Sequence, residues 1–214
     1  MTRRSPVLRP RSSTAWLRHF EESTARIEAV PWGLGPWLDQ AERDAVAGSI
    51  QEFQLGESSE GRRFRAVAAE HAGRTGDLAY PATIDRFIGE EQQHARYLAQ
   101  FLELEAIPLV RHTSVDGIFR RLRRLAGLET MLSVLITAEI IAQVYYAALG
   151  RATCSPVLRS ICRRILVDEA VHVRFQAERI ALLRRRSWLG RRVGPIMHGC
   201  LAAGACIVVW AGHR

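Results

Sequence analysis

Apolar and small residues recur at three- and four-residue intervals through most of the chain, the period of one helix face. Ile50, Phe53, Gly61, Phe64, Val67 and His71 keep to one such stripe, which predicts a first long helix over about 38–71. A second starts near Pro81, a good first-turn residue, and runs to about 107. A third is expected from just after Asp116 to Gly150, a C-terminal cap. The fourth opens at Ser155-Pro156, a cap followed by proline at the first helical position, and closes in Arg184–Arg186, where cations suit the negative end of the helix dipole. Ahead of these, TAWLRHFEESTARIEAV makes a short amphipathic helix through Trp16, Phe20 and Ile27, and PWGLGPW breaks it. The links AGRTGDLAY, PLVRHTSVD and RATC are short, which predicts antiparallel neighbours. The economical packing is an all-α, antiparallel four-helix bundle over 36–186, with 14–35 as short helix and linker.

The two ends break the pattern. Residues 1–13 are basic and poor in large apolar residues, and read as a disordered tail. Residues 187–214 are an apolar segment, expected as an extra C-terminal helix. Its run 193–210 lacks Asp, Glu and Arg and is near the lower length limit for a membrane span. Two uses stay open. One is membrane association, with Arg184–Arg192 resting on anionic head groups. The other is close helix contact through Gly199, Ala202, Ala203 and Gly204, by docking on the bundle or in a homodimer.

Composition changes this picture little. Hydrophobic residues make up 48% and aromatics 7%, which suits helices better than a sandwich or barrel. The net charge is +8, and all thirty basic residues are arginine. They are spread over the tail, the helix surfaces and the 184–192 cluster rather than gathered on one face, so no nucleic-acid partner is expected. Cys154, Cys162, Cys200 and Cys206 form no C-x-x-C pair and nothing reads as a signal peptide. Reduced thiols in a cytoplasmic protein, free or held at the cytoplasmic membrane face, are the expectation.

The chemistry lies in FIGEEQQHARYL and LVDEAVHVRF, which place Glu91 with His94 and Glu169 with His172. Residues three apart share a helix face, so each pair aims a carboxylate and an imidazole at one point. About half such a pair is expected by chance at this content of Glu and His, so two pairs alone decide nothing. Their order along the chain decides more. Glu139 precedes Glu169 by thirty residues, and Glu57 and Glu60 precede Glu91 by thirty-four and thirty-one. That separation is one helix up, a turn, and the return to the same height. Glu139 also sits in MLSVLITAEIIAQVYYAAL, where an uncompensated carboxylate would cost several kcal/mol to bury. Four carboxylates with two imidazoles suit iron or manganese. Asp168 and Glu90 are one step from these positions, about 100° around the helix, and are expected to face outward. Tyr146, two turns from Glu139, lines a substrate channel or packs in the core. His71 and His112 are expected at the surface or in loops.

The pattern Glu, Glu-x-x-His, Glu, Glu-x-x-His over about 45–185 resembles the ferritin-like di-iron carboxylate superfamily. The resemblance implies Glu91, His94, Glu139, Glu169 and His172 as ligands of two iron ions, with manganese or a mixed Mn/Fe pair fitting the same donors. For the first helix it leaves two residues open. LGESSEGRRF is similar to the GES stretch of rubrerythrin-type helices and favours Glu57, while Glu60-Gly61 is nearer to demethoxyubiquinone hydroxylases. The activity implied is O2-dependent oxidation of a small organic substrate by hydroxylation, N-oxygenation or desaturation. An external electron donor is implied too, because no flavin, nicotinamide or Fe–S motif is read. The alternatives are iron handling as a ferroxidase or store, and a metal-free helical scaffold. The positive charge and the apolar end speak against a store.

Overall fold

The computed structural model describes residues 10–24, 29–59, 61–111 and 127–185, together with 199, 203 and 204. Ile27, Glu60, His112, Asp116, Cys200, Cys206, the tail up to residue 9 and most of 187–214, including nearly all of 193–210, lie outside the described residues. Among the described residues the chain is all-α. Its helices are α1 (Ser13–Thr24), α2 (Gln40–Glu57), α3 (Arg62–Thr75), α4 (Tyr80–Leu104), α5 (Leu128–Ala152) and α6 (Pro156–Arg185), with one 3-10 turn at Trp32–Leu34.

The long first helix expected from the apolar stripe is two helices. Gly61 has φ +64°, a left-handed conformation that costs glycine nothing. A Cβ there would also meet Ile88 Cδ1 at 2.5 Å. Ser58 closes α2 by returning its N–H and its hydroxyl to the Leu55 carbonyl, at 3.3 and 2.7 Å. The stripe continues across the break, so periodicity alone could not reveal it. Gly150 is likewise no cap. It lies inside α5, where a Cβ would stand 3.1 Å from Cys162 Cβ, so it marks close approach of α5 to α6. The N-terminal signals fall where expected elsewhere: Asp39 accepts from Glu42 N–H, Pro81 lies in the first turn of α4, and Ser155 Oγ accepts from Leu158 N–H.

Two apolar cores sit on either side of one polar layer. The first gathers Ile50, Leu98, Phe101, Tyr146, Ile161 and Ile165. The second gathers Trp16, Phe64, Phe87, Leu132, Ile136 and Phe175. Following α4 and α5 from their N-termini, each leads from the second core to the first, so the two run the same way. The first segment, α2 then α3, and the last helix, α6, run from the first core to the second. The antiparallel pairing expected between the second and third long helices is therefore absent. Leu104 packs at the first core and Leu128 at the second, and residues 112–126 between them lie outside the described residues.

The last residues expected in the basic tail are bonded. Arg11 N–H donates to Glu178 at 2.8 Å, and Ser13, 2% exposed, accepts from Arg179 at 2.9 Å. Trp16 Nε1 donates to Glu178 at 3.0 Å, which seats α1 over the second core. His71 lies within α3, half-buried against Tyr80. Of the cysteines, Cys154 is exposed and Cys162 is buried, both free, and burial pushes the Cys162 thiol up to about 12. Among the described residues, α5 alone is long and apolar enough to cross a membrane, with half of that stretch buried against the rest of the molecule.

Candidate metal centre

The polar layer is built from four helices. Glu57 ends α2, Glu91 and His94 come from α4, Glu139 from α5, and Glu169 and His172 from α6. The interior positions are fixed by apolar neighbours one turn away on each side: Phe87 and Leu98 on α4, Ile136 and Ala142 on α5, Ile165 and Phe175 on α6. Donor atoms of Glu57, Glu91, His94 and Glu169 lie within 4.8 Å of one another, and so do those of Glu91, Glu139, Glu169 and His172. Glu91 and Glu169 belong to both groups. The six residues thus form two overlapping four-donor sets with two shared carboxylates. Glu60 is outside the described residues, and Glu57 is the first-helix carboxylate that reaches the layer.

Each imidazole faces the layer with Nδ1. His172 Nδ1 lies 2.9 Å from Glu91 and 3.7 Å from Glu169, and His94 Nδ1 lies 3.4 Å from Glu169 and 4.0 Å from Glu91. Both Nε2 atoms are held from behind, at 3.1 Å by Asp168 for His94 and at 2.9 Å by Glu90 for His172. Asp168 and Glu90 are therefore not outward-facing; they are 3% and 8% exposed. A helix buried on a broad arc brings adjacent positions inside, and each of these carboxylates reaches the histidine of the neighbouring helix. A carboxylate on Nε2 favours the proton there and leaves the Nδ1 lone pair toward the layer.

Further side chains fix the carboxylates. Gln176 Nε2 donates to Glu139 at 2.7 Å, and Tyr146, fully buried, donates to Glu57 at 3.3 Å. Arg164 Nε lies 3.0 Å from Asp168. Sequence reasoning missed Glu90, Asp168, Gln176 and Arg164. The signal for the first two was the repeat itself: each half reads acid-Glu-x-x-His, with an acidic doublet where one acid would do for a ligand pair.

The electrostatics of this layer are severe. Burial first, then Glu91 and Glu169, push the Glu57 carboxyl well above its usual range, and burial with Glu169 and Glu91 does the same to Glu139. Burial alone would lower His94, but its bonds to Asp168 and Glu169 outweigh this and raise it to about 10. His172 is raised well above its ordinary value against burial by Glu91, Glu169 and Glu90. Glu169, despite burial, is held well below the usual range by its close neighbours Glu139, His172 and His94. Four carboxylates at one buried point need positive charge, as protons or as cations. Hydrogen bonding leaves Glu91 Oε1, both Glu169 oxygens and both histidine Nδ1 atoms buried and unmatched. A pair of cations would satisfy all five.

A cleft of about 400 Å³ opens at the break between α2 and α3 and reaches Glu57 and Glu91. Tyr146 does not line it; it stands behind Glu57, against Phe53 and Tyr145. Comparison of the chain with protein-family models, with curated proteins and with solved structures finds no significant match. Any assignment therefore rests on the residues themselves.

Proposed function

We infer that the polar layer is a two-metal carboxylate centre and that the protein is an O2-dependent oxidoreductase of the ferritin-like kind. The observation that carries this is the pair of overlapping donor sets, Glu57-Glu91-His94-Glu169 and Glu91-Glu139-Glu169-His172, whose unmatched atoms converge in a buried layer. The chain path supports it: α4 and α5 run parallel, and ferritin-like folds carry one long crossover in a four-helix bundle. Here α2 and α3 together stand for the first of the four helices.

Three oxygens to one nitrogen per set fit iron or manganese better than a thiolate-seeking ion. When bound, such a pair supplies the redox chemistry that activates O2. The chain does the rest. Glu91 and Glu169 are placed to bridge; His94 and His172 each close one set; Asp168 and Glu90 hold the two rings in orientation. Glu57 alone combines a place in a donor set with the end of a helix and a wall of the cleft. The cleft would admit a small organic substrate to Glu57 and to the shared Glu91, past Phe87, which also packs on His172. Electrons would come from an external reductase.

Metal analysis of the purified protein tests this reading. Two iron or manganese ions per chain are expected, together with O2 uptake that needs added reductant and stops when the centre has turned over once without substrate. Uptake of ferrous iron far beyond two ions per chain would assign the protein to iron handling instead. Absence of stoichiometric metal from both the purified and the reconstituted protein would leave only a scaffold.

A further inference from the structure

We propose that the cleft between α2 and α3 binds a small organic anion with an apolar body, its charged head at the mouth and its body pointing at the polar layer. The inference rests on the two-metal reading above and names the substrate class of that same centre.

The cleft changes character with depth. Arg62 and Arg63 are exposed and line it beside Ser58 and Ser59. Phe64, Phe87, Ile88 and Met131, at 6%, 2%, 3% and 1% exposed, line it within. Glu57 and Glu91 line it as well, and through them it meets the polar layer. The start of α3 adds to the positive mouth: its cap, Gly61, supplies no side chain to the first N–H groups, and these carry the positive end of the helix dipole. Two guanidinium groups and a helix start favour a carboxylate, phosphate or sulfate head. The apolar walls favour hydrocarbon or an aromatic ring. At about 400 Å³ the space lies at the lower end of ordinary ligand sites, which suits a molecule of roughly ten to fifteen non-hydrogen atoms.

The head stays at the arginines and the carbon to be oxidised stays beside Glu57 and Glu91.

Redox-inert zinc provides the test. Protein loaded with two zinc ions per chain, counted by native mass spectrometry, is titrated calorimetrically with octanoate, 1-octanol and octylamine. Octanoate should bind at least tenfold tighter than either of the others. The double variant Arg62→Ala, Arg63→Ala should lose about tenfold in octanoate affinity while keeping two zinc ions, and Arg151→Ala, on the exposed end of α5, should lose nothing. Gly56→Leu, which places a side chain in open space at the cleft wall, should weaken all ligands alike. Equal binding of the acid, alcohol and amine would overturn the proposal. So would unchanged octanoate affinity in the double arginine variant, since the head group would then lie on the metal. Failure of the native protein to take up two zinc ions would instead refute the two-metal reading beneath it.

Discussion

The α4 arm and the α6 arm of the polar layer carry the same acid-Glu-x-x-His spelling, yet they are backed differently. Behind His94 stands Asp168, whose charge is shared with Arg164. Behind His172 stands Glu90, hydrogen-bonded to His172 and within electrostatic reach of His19 rather than of an arginine. The surroundings differ as well. His172 packs against Phe87 at 4.6 Å between ring centres and lies near Phe20, whereas the donor set of His94 includes Glu57 on the cleft wall. An acceptor that is not shared with a cation pulls harder on the imidazole proton and makes the opposite nitrogen a stronger donor. Equal motifs are thus backed unequally: an arginine shares the carboxylate behind His94, and no arginine stands on the one behind His172 among the described residues.

Glu91 and Glu169 belong to both donor sets, and removing one should erase the comparison. Glu169→Ala is expected to reduce bound metal from two ions per chain to less than half an ion, read by metal analysis. Glu139→Ala removes a ligand from the His172 set alone and should leave at most one ion. Two ions retained in Glu139→Ala would refute its assigned role.

Acid and base act on both arms together. Glu57, Glu139, His94 and His172 all hold protons more tightly folded than unfolded. Their contribution to stability is complete below the unfolded values, about 4.3 for Glu and about 6.5 for His, and is lost as pH rises toward the raised folded values. Metal-free protein should therefore melt at progressively lower temperature from about pH 5 to about pH 9. Glu169 has the opposite sign, but its effect is confined to pH below about 4.5. Metal ions take the place of those protons, so the loaded protein loses less. The gap in melting temperature should widen with pH to about 10 °C at saturating metal. A gap that narrows with pH would contradict the buried charge balance described above.

The outer partners separate the arms. Glu90→Gln should weaken one cobalt ion by about 100-fold and Asp168→Asn the other by about tenfold, read from two-phase Co(II) titrations. Equal losses would show that Arg164 does not matter. The smallest effect is expected from Arg164→Met, which leaves Asp168 unshared and should tighten the His94-side ion several-fold, bringing the two phases together.

Helix positions and the meeting of Glu57, Glu91, His94, Glu139, Glu169 and His172 were legible because both follow from local period. A residue and its neighbour three on must share a face, and a thirty-residue interval must return to the same level. What was hidden depends on contacts between helices. The break at 58–61 is set by Ile88 of α4 standing where a side chain of residue 61 would go. The inward turn of Glu90 and Asp168 is set by a histidine on another helix. The parallel course of α4 and α5 is written in the sharing of two cores, which no single stretch of sequence displays.

The position of Glu57 at the last residue of α2 has a mechanical consequence. Glu91, Glu139 and Glu169 each hang from the middle of a continuous helix of 25 to 30 residues, where backbone displacement is resisted from both directions. Glu57 hangs from a helix end, closed by Ser58 and followed at residue 61 by a left-handed glycine. Compliance is thus concentrated in one of four tethers. On the two-metal reading, a change in ion radius or charge would be absorbed by a swing of that carboxylate, beside the cleft, while the remaining three hold their coordinates.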